Sequence, residues 1–173
     1  TESRRLSLQD RVAQARIYKV WTGPAWGSAD GWRLEIATAI IGGDKNSRLY
    51  QRLVVRDRLA TDVELGTEAL EISGMTYLEV SLAPGADGAR VEAVVDEELQ
   101  RFIAKGPTPA EIERMRTQHR AGFLRDIEQV GGMGGQAGVL AESMVYGGSP
   151  DFYQRELAAY AAATAPDIRR AAA

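Results

Sequence analysis

The chain has 173 residues, of which 45% are hydrophobic and none is cysteine, and its formal net charge is −3. This length and apolar content suffice for one domain with its own core. The lack of cysteine excludes disulfides and thiolate catalysis, and an acidic balance without a Lys/Arg-rich block argues against nucleic-acid binding. No apolar run approaches the roughly 20 residues that span a membrane.

Four short stretches have the patterns of β-strands. Two of them alternate apolar and polar residues on either side of a turn at Ser73 and Gly74, which predicts an antiparallel pair with one face on a core. The other two precede the first helix. The first of them alternates briefly, and the second is rich in β-branched and aromatic residues. The predicted strands are residues 6–8, 15–21, 62–69 and 78–82.

Helices are predicted between and after these strands. Apolar residues recur at helical spacing over 29–41, and Gly42 and Gly43 end that helix. Ser47 is interpreted as the N-cap of a second helix that runs to about residue 58. The second half is helical, with stripes at 91–103, 112–127 and 137–145 and two shorter helices after Pro150 and Pro166.

The order of these elements predicts an α+β fold. Strands and helices are grouped rather than strictly alternating, which favours a two-layer sandwich with an antiparallel-rich sheet. We expect about four strands, covered on one face by helices, in a single domain over residues 1–173.

Candidate catalytic groups are sparse. His119 is the only histidine, and it lies on the apolar stripe between Met115 and Phe123, which favours a partly buried structural role. A catalytic zinc site needs about three protein ligands, and the inverted H-x-x-E-H motif is absent. No serine has a histidine partner at a suitable position, and the carboxylates at 97–98, 111 and 113 are interpreted as solvated. We predict no catalytic residue and no metal ligand in this chain.

A glycine-rich run separates two of the predicted helices. Its spacing fits neither a P-loop nor a dinucleotide-binding fingerprint, and no strand precedes it. We interpret the run as a hinge between packed helices, formed by Gly131, Gly132, Gly134 and Gly135.

The segment after Gly42 and Gly43 reads Ser-Arg-Leu-Tyr-Gln-Arg-Leu-Val at 47–54. It resembles the Gly-Gly … Ser-Arg-Leu-Tyr … Leu segment in the second domain of pitrilysin-type zinc peptidases, the group of insulin-degrading enzyme and mitochondrial processing peptidase. Further matches in the same order are Thr-Pro-Ala-Glu-Ile at 108–112, Gly-Gly-Ser-Pro at 147–150 and Thr-Ala-Pro-Asp-Ile at 164–168.

The resemblance implies a non-catalytic domain of a zinc metalloendopeptidase. In that family the zinc lies in the first domain, and paired chains or halves close around an unfolded peptide. The implied partners are therefore an N-terminal zinc domain of the same chain, a homo- or heterodimeric partner chain and the peptide itself. This fragment alone would be inactive and would need no cofactor. The alternative is a catalytically inactive structural or assembly domain of a peptidase-like protein.

Many second domains of the family carry an Arg and a Tyr that hold substrate in the chamber. Aligned on Leu53 and Leu59, the corresponding positions here are Val54 and Thr61, which supply neither a guanidinium nor a phenol. This departure favours a zinc-bearing first domain upstream, because the Arg and Tyr that hold substrate can then belong to the partner chain. The chain is expected to be excised from a longer two-domain protein and to lack its last strand. We expect a bacterial location, periplasmic or cytoplasmic, with the periplasm favoured.

Overall fold

The computed structural model describes residues 2–132 and 134–173. Within this part of the chain there are three strands, six α-helices and one π-helix. In chain order they are β1 (Arg16–Gly23), α1 (Ala29–Gly42), the π-helix (Tyr50–Arg56), β2 (Ala60–Ala69), β3 (Gly74–Leu82), α2 (Gly88–Lys105), α3 (Pro109–Ile127), α4 (Gln136–Gly147), α5 (Tyr153–Ala162) and α6 (Ala165–Ala171).

The strands form one antiparallel sheet in the order β1–β3–β2. Val20 of β1 lies opposite Tyr77 of β3, which lies opposite Gly66 of β2. The β2–β3 hairpin closes through a hydrogen bond of 2.9 Å from the Leu70 amide to the Ser73 carbonyl. Alternation of buried and exposed residues along β3 places one face of the sheet on the core and leaves the other open.

The predicted α+β fold is confirmed, but the sheet has three strands rather than four. The predicted strand at 6–8 is wrong, because residues 2–12 carry no regular secondary structure. Alternation alone does not make a strand. A strand also needs a neighbour for its backbone hydrogen bonds, and the segment at 6–8 has none among the described residues.

Side-chain caps begin most of the helices. The Ser28 hydroxyl accepts from the Gly31 amide at α1, and the Asp87 carboxylate accepts from the Ala89 amide at α2. Thr108 and Glu111 form a capping box at α3. Gly106, with φ of 71°, ends α2 in a conformation that favours glycine.

The core lies between the sheet and the helices that cover it. α1 packs on β2 and is itself covered by α3, α5 and α6. The largest fully buried side chains are Phe102, Ile36, Ile40, Leu49, Leu53, Leu78, Ile168, Val80, Val91 and Val95. These residues come from both halves of the chain, so both the strand-rich and the helix-rich half contribute to one hydrophobic core.

The apolar stripes predicted for α3 and α4 do not pack mainly on the sheet. The α3 stripe lies mainly against α1 and α5, one helix away from the sheet. The α4 stripe is largely exposed at Leu140, Met144 and Val145. Helical periodicity predicts these helices correctly but does not say what each apolar face meets. Among the described helices, none is both long enough and apolar enough to cross a membrane.

Candidate functional site

The Ser-Arg-Leu segment forms a short helix that is mostly of π type. Leu49 and Leu53 are fully buried and fix this helix to the core. The expected cap is wrong: the buried Ser47 hydroxyl has no hydrogen-bond partner among the described residues. Instead the Ser47 carbonyl accepts from the Gln51 amide at 3.0 Å. The wider turn therefore begins without a side-chain cap and depends on packing.

Val54 and Thr61, the two positions expected to line a substrate chamber, lie on neighbouring elements. Val54 is on the π-helix, half-buried, and packs against the core. Thr61 is exposed at the start of β2, where the pairing with β3 shifts between Ala60 and Asp62. Such a bulge re-aims a side chain. The Thr61 hydroxyl donates to the Ser81 carbonyl at 3.3 Å.

Arg48 links three elements at the other end of this helix. Its guanidinium donates to both Glu111 oxygens, at 2.7 Å each, and to the Gly106 carbonyl at 3.1 Å. It also lies 5.0 Å from the centroid of the Phe102 ring. The arginine of the family segment is therefore a structural clamp that holds the π-helix on the α2–α3 corner.

Arg52 forms a second ionic cluster, between the π-helix and α2. It contacts Asp57 at 2.7 Å and both Glu97 and Glu98 at 3.2 Å. The hydrogen bond from Arg52 lowers the pKa of Asp57. Glu98 is only 4% exposed and also binds Arg101 at 2.7 Å, so the expectation that it is solvated was wrong. Sequence patterns cannot predict the pairing of Arg52 with Glu98, because the two residues are 46 positions apart in the chain.

His119 belongs to a polar network at the junction of α1, α3 and α5. Its Nε2 lies 3.0 Å from Oε1 of Glu156, and its ring stacks on Tyr160 with centroids 3.6 Å apart. The Tyr160 hydroxyl donates to Glu35 at 2.8 Å. Burial raises the pKa values of both Glu35 and Tyr160. The network satisfies buried polar groups between helices, which fits the structural role expected for His119.

Within residues 2–132 and 134–173, no group of three or more His, Asp or Glu side chains is arranged to hold a metal ion. The carboxylates nearest His119 are engaged with it or with Tyr160.

The glycine-rich run lies between α3 and α4, as expected. Gly135 is buried and immediately precedes α4, where a Cβ would lie 2.4 Å from the Gly131 carbonyl oxygen. The Gln136 side chain donates to the Ile127 carbonyl at 2.8 Å and ties the two helices together. The predicted hinge at Gly131, Gly132, Gly134 and Gly135 stays a prediction about motion.

Comparison with known families identifies the fold and the segment together. A family model described as the Peptidase M16 inactive domain matches residues 1–119. The chain belongs to this family. The resemblance of residues 47–54 to the second, zinc-free domain of pitrilysin-type peptidases is thereby confirmed, and the chain is a non-catalytic peptidase-family domain. A search of curated proteins finds no match.

Solved structures with the same fold come from several bacteria. A protease from Helicobacter pylori has a TM-score of 0.83 at 18% identity, over 95% of this chain and 38% of that one. The inactive peptidase domain of a "putative zinc protease" from Bordetella parapertussis has a TM-score of 0.77 at 23% identity, over 95% and 86%. A "putative zinc protease" from Bordetella pertussis Tohama I has a TM-score of 0.74 at 23% identity, over 91% of both chains.

These likenesses establish the fold of the M16 inactive domain for this chain. The chain spans only 38% of the length of the Helicobacter pylori protease. The activity of any longer protein that contains this domain is therefore a separate question.

Proposed function

We propose that this M16 inactive domain forms one wall of a peptide-enclosing chamber in a zinc metalloendopeptidase. The zinc would be held by an N-terminal domain of the same parent chain. Membership of the M16 inactive domain family and the zinc proteases among its structural relatives support this assignment.

The observation that carries the proposal is the open face of the sheet. Met75 and Tyr77 of β3 alternate with the buried Thr76 and Leu78, so they lie on the face away from the core. Tyr18 and Val20 of β1 are also exposed, at 59% and 62%. Apolar and aromatic groups exposed together on a rigid sheet are typical of a binding surface.

The composition of this face suits an unfolded peptide. Glu64, Glu68 and Glu79 lie on the same face as Met75 and Tyr77, and the Tyr77 hydroxyl donates to Glu64 at 2.9 Å. An extended peptide offers apolar side chains and backbone amides, which such a mixed surface can contact without selecting one sequence.

The identities of Val54 and Thr61 bear on how substrate is held. Neither side chain offers a charge, and the Thr61 hydroxyl already binds the Ser81 carbonyl. We propose that these positions line the chamber without gripping the peptide and that a partner chain supplies the grip. This division favours a zinc-bearing first domain in the parent protein, whose location we propose to be the bacterial periplasm.

The test uses the parent protein and a fluorogenic peptide. We expect cleavage to depend on an inverted zinc motif outside residues 1–173 and the isolated 173-residue chain to be inactive. Met75→Lys on the open face should raise KM several-fold with little change in stability, because it alters peptide contacts only. The matched control is Ala93→Lys on an exposed position of α2.

Two results would overturn the proposal. One is cleavage by the isolated chain. The other is a Met75→Lys protein whose KM equals that of Ala93→Lys. A parent protein without a zinc motif and without activity would instead support the alternative, an inactive assembly domain.

A further inference from the structure

Helix α5 is attached to the domain by partly buried side chains. Over its described range, Tyr153–Ala162, no residue is buried, whereas the following helix α6 buries Ile168 completely. α5 packs mainly against α1 and α3. Helices with few buried apolar contacts open locally more often than the rest of a fold. The contacts that join α5 to α1 and α3 therefore decide how often it opens.

Two titratable pairs make these contacts. Nε2 of His119 on α3 lies 3.0 Å from Oε1 of Glu156, and the Tyr160 hydroxyl donates to Glu35 of α1 at 2.8 Å. The rings of His119 and Tyr160 stack with their centroids 3.6 Å apart, so the two pairs are in contact with each other. We refer to Glu35, His119, Glu156 and Tyr160 as the α5 cluster. It places two carboxyl groups around a single imidazole.

The α5 cluster is shielded from water. The side chains of His119 and Glu156 are 20% and 37% exposed, and Glu35 is half-buried. Burial raises the pKa of Glu35, and the charge of Glu156 raises it further, against the opposing effects of Tyr160 and His119. Two negative charges in this space repel each other. Within the cluster, the imidazole is the group that can become a cation and offset them.

The arginines on the same helices do not neutralise these carboxylates. Arg33 of α1 forms an ion pair within its own helix, and Arg116 of α3 donates to the Ala163 carbonyl at 2.9 Å. Arg155 of α5 lies over an aromatic ring, 5.3 Å from its centroid. Arg120, which follows His119, is exposed, as are both arginines of α6. The charge balance of the α5 cluster therefore depends on its own members.

We propose that the α5 cluster is a pH-sensitive contact, in which protonation of His119 in mildly acidic solution tightens the packing of α5 on α1 and α3. A protonated imidazole donates a charge-assisted hydrogen bond to Glu156, about twice as strong as a neutral one. Its charge also offsets that of Glu35. Opening of α5 separates these groups, so the packed state binds the proton more tightly than the open state. Linkage then requires packing to strengthen as the pH falls.

The burial of Glu35 acts in the same direction. Because its pKa is raised in the folded state, its protonated form favours packing, and this contribution is lost as the pH rises. Histidine ordinarily changes its charge between about pH 5 and 8, whereas an ordinary glutamate remains ionised above about pH 5. We therefore expect α5 to open more often near pH 7.5 than near pH 5.5. This inference does not depend on the proposed function.

Thiol labelling measures the opening of α5, because the chain contains no cysteine. Ala163→Cys places a thiol directly after α5, at a position that is 4% exposed, and Ala161→Cys places one at an exposed position of the helix. The ratio of the first labelling rate to the second removes the ordinary effect of pH on thiolate reactivity. The half-buried Ala159→Cys is a second reporter in case Ala163→Cys does not fold.

We expect this ratio to be at least about threefold lower near pH 5.5 than near pH 7.5. In a His119→Gln background, which retains a hydrogen-bond donor but cannot take up the proton, the change should be less than about twofold. Glu156→Gln removes the charged partner of the imidazole and should reduce the change likewise. The matched control, Glu113→Gln on the 71% exposed neighbouring position of α3, should keep the full change.

A ratio that stays constant or rises as the pH falls would overturn the proposal. A full threefold change in the His119→Gln protein would also overturn it, since another group would then be responsible. If His119→Gln does not fold, the Glu156→Gln protein decides in the same way. Because labelling does not measure cleavage, a chain without any role in peptide hydrolysis gives the same outcomes.

Discussion

Arg48 holds both carboxylate oxygens of Glu111, a residue 63 positions further along the chain, at 2.7 Å each. Glu111 is at the same time part of the capping box at the start of α3, where it accepts from the Thr108 amide at 2.7 Å. One carboxylate thus caps the start of a helix and anchors the Ser-Arg-Leu segment. Because Arg48 connects this segment to the start of α3, the contact is the first target for mutation.

Arg48→Met should lower the free energy of unfolding by about 2–3 kcal/mol, the range for a hydrogen bond to a charged group whose partner is left unpaired. The two side chains are only 18% and 21% exposed, so water replaces the guanidinium poorly. Urea denaturation measures the effect. The control, Arg90→Met on an exposed position of α2, should change stability by less than about 0.5 kcal/mol. Equal midpoints for the two variants would show that the clamp contributes nothing.

The same carboxylate predicts how stability responds to acid. Burial alone would raise the pKa of Glu111, but hydrogen bonds from Arg48 and Thr108 outweigh burial and lower it from 4.5 to about 2. Since the pKa is lower in the folded state, the ionised group stabilises the fold fully above pH 4.5. That stabilisation is lost as the pH falls toward 2.

We therefore expect Glu111→Gln to lose stability less steeply than the wild type across this pH range. Denaturant midpoints at several pH values measure the slope. Glu113→Gln, two residues away and 71% exposed, is the control and should keep the wild-type slope. A Glu111→Gln slope equal to that of wild type would contradict the lowered pKa. Asp57, whose pKa is also lowered by Arg52, accounts for part of the remaining slope.

Gly42 at the end of α1 lets the helix approach β2 closely. A Cβ there would lie 2.6 Å from Leu65 Cβ and 3.2 Å from the Leu65 amide nitrogen. Gly42→Ala should therefore cost about 1–3 kcal/mol by overpacking. At Gly88 the nearest atom to a Cβ is 3.8 Å away. Gly88→Ala should therefore stabilise the fold by up to about 1 kcal/mol, because alanine has a higher helix propensity than glycine. Thermal melts that shift in the same direction for both variants would refute this contrast.

Arg58 adopts a left-handed conformation, with φ of 52°, in the turn between the π-helix and β2. A side chain strains this conformation, whereas glycine does not. Arg58→Gly should stabilise the chain by up to about 1 kcal/mol, since the gain exceeds the added entropy of the unfolded chain. Arg58→Ala retains the Cβ and should be nearly neutral. The prediction fails if the glycine variant denatures at a lower urea concentration than the alanine variant.

Features encoded within a few residues of sequence are predicted correctly, whereas those that depend on distant residues are not. The hairpin of β2 and β3 and the end of α1 at Gly42 and Gly43 are local, and the structure contains both. The failures depend on tertiary partners. The strand at 6–8 lacks a neighbour, and Glu98 is buried because Arg52 reaches it from another element.

In the candidate site, too, the sequence located the residues but did not predict their surroundings. The resemblance located Val54 and Thr61 in sequence, but only the structure shows that one is half-buried on a π-helix and the other exposed in a bulge. Sequence periodicity could not predict either environment, because a π turn and a β-bulge both break the spacing on which such predictions depend.

This difference in exposure predicts unequal costs for restoring the family's Arg and Tyr. Thr61→Tyr should change the melting temperature by no more than a degree or so, because the side chain is exposed and loses one weak hydrogen bond. Val54→Arg should cost about 1–2 kcal/mol, since it removes apolar packing while the guanidinium extends to solvent. Val55→Arg, on a neighbour that is 53% exposed, is the matched control.

Thermal melts of the three single variants separate the possibilities, at roughly 2–4 °C per kcal/mol for a chain of this length. A Val54→Arg protein as stable as Val55→Arg would show that Val54 makes no core contact. Gross unfolding of Thr61→Tyr would show that the bulge is closed to a larger side chain. In the parent protein the double variant should then bind peptide more tightly than wild type, because it adds a charge and a hydroxyl to the chamber wall. An unchanged KM would place both positions outside the peptide's reach.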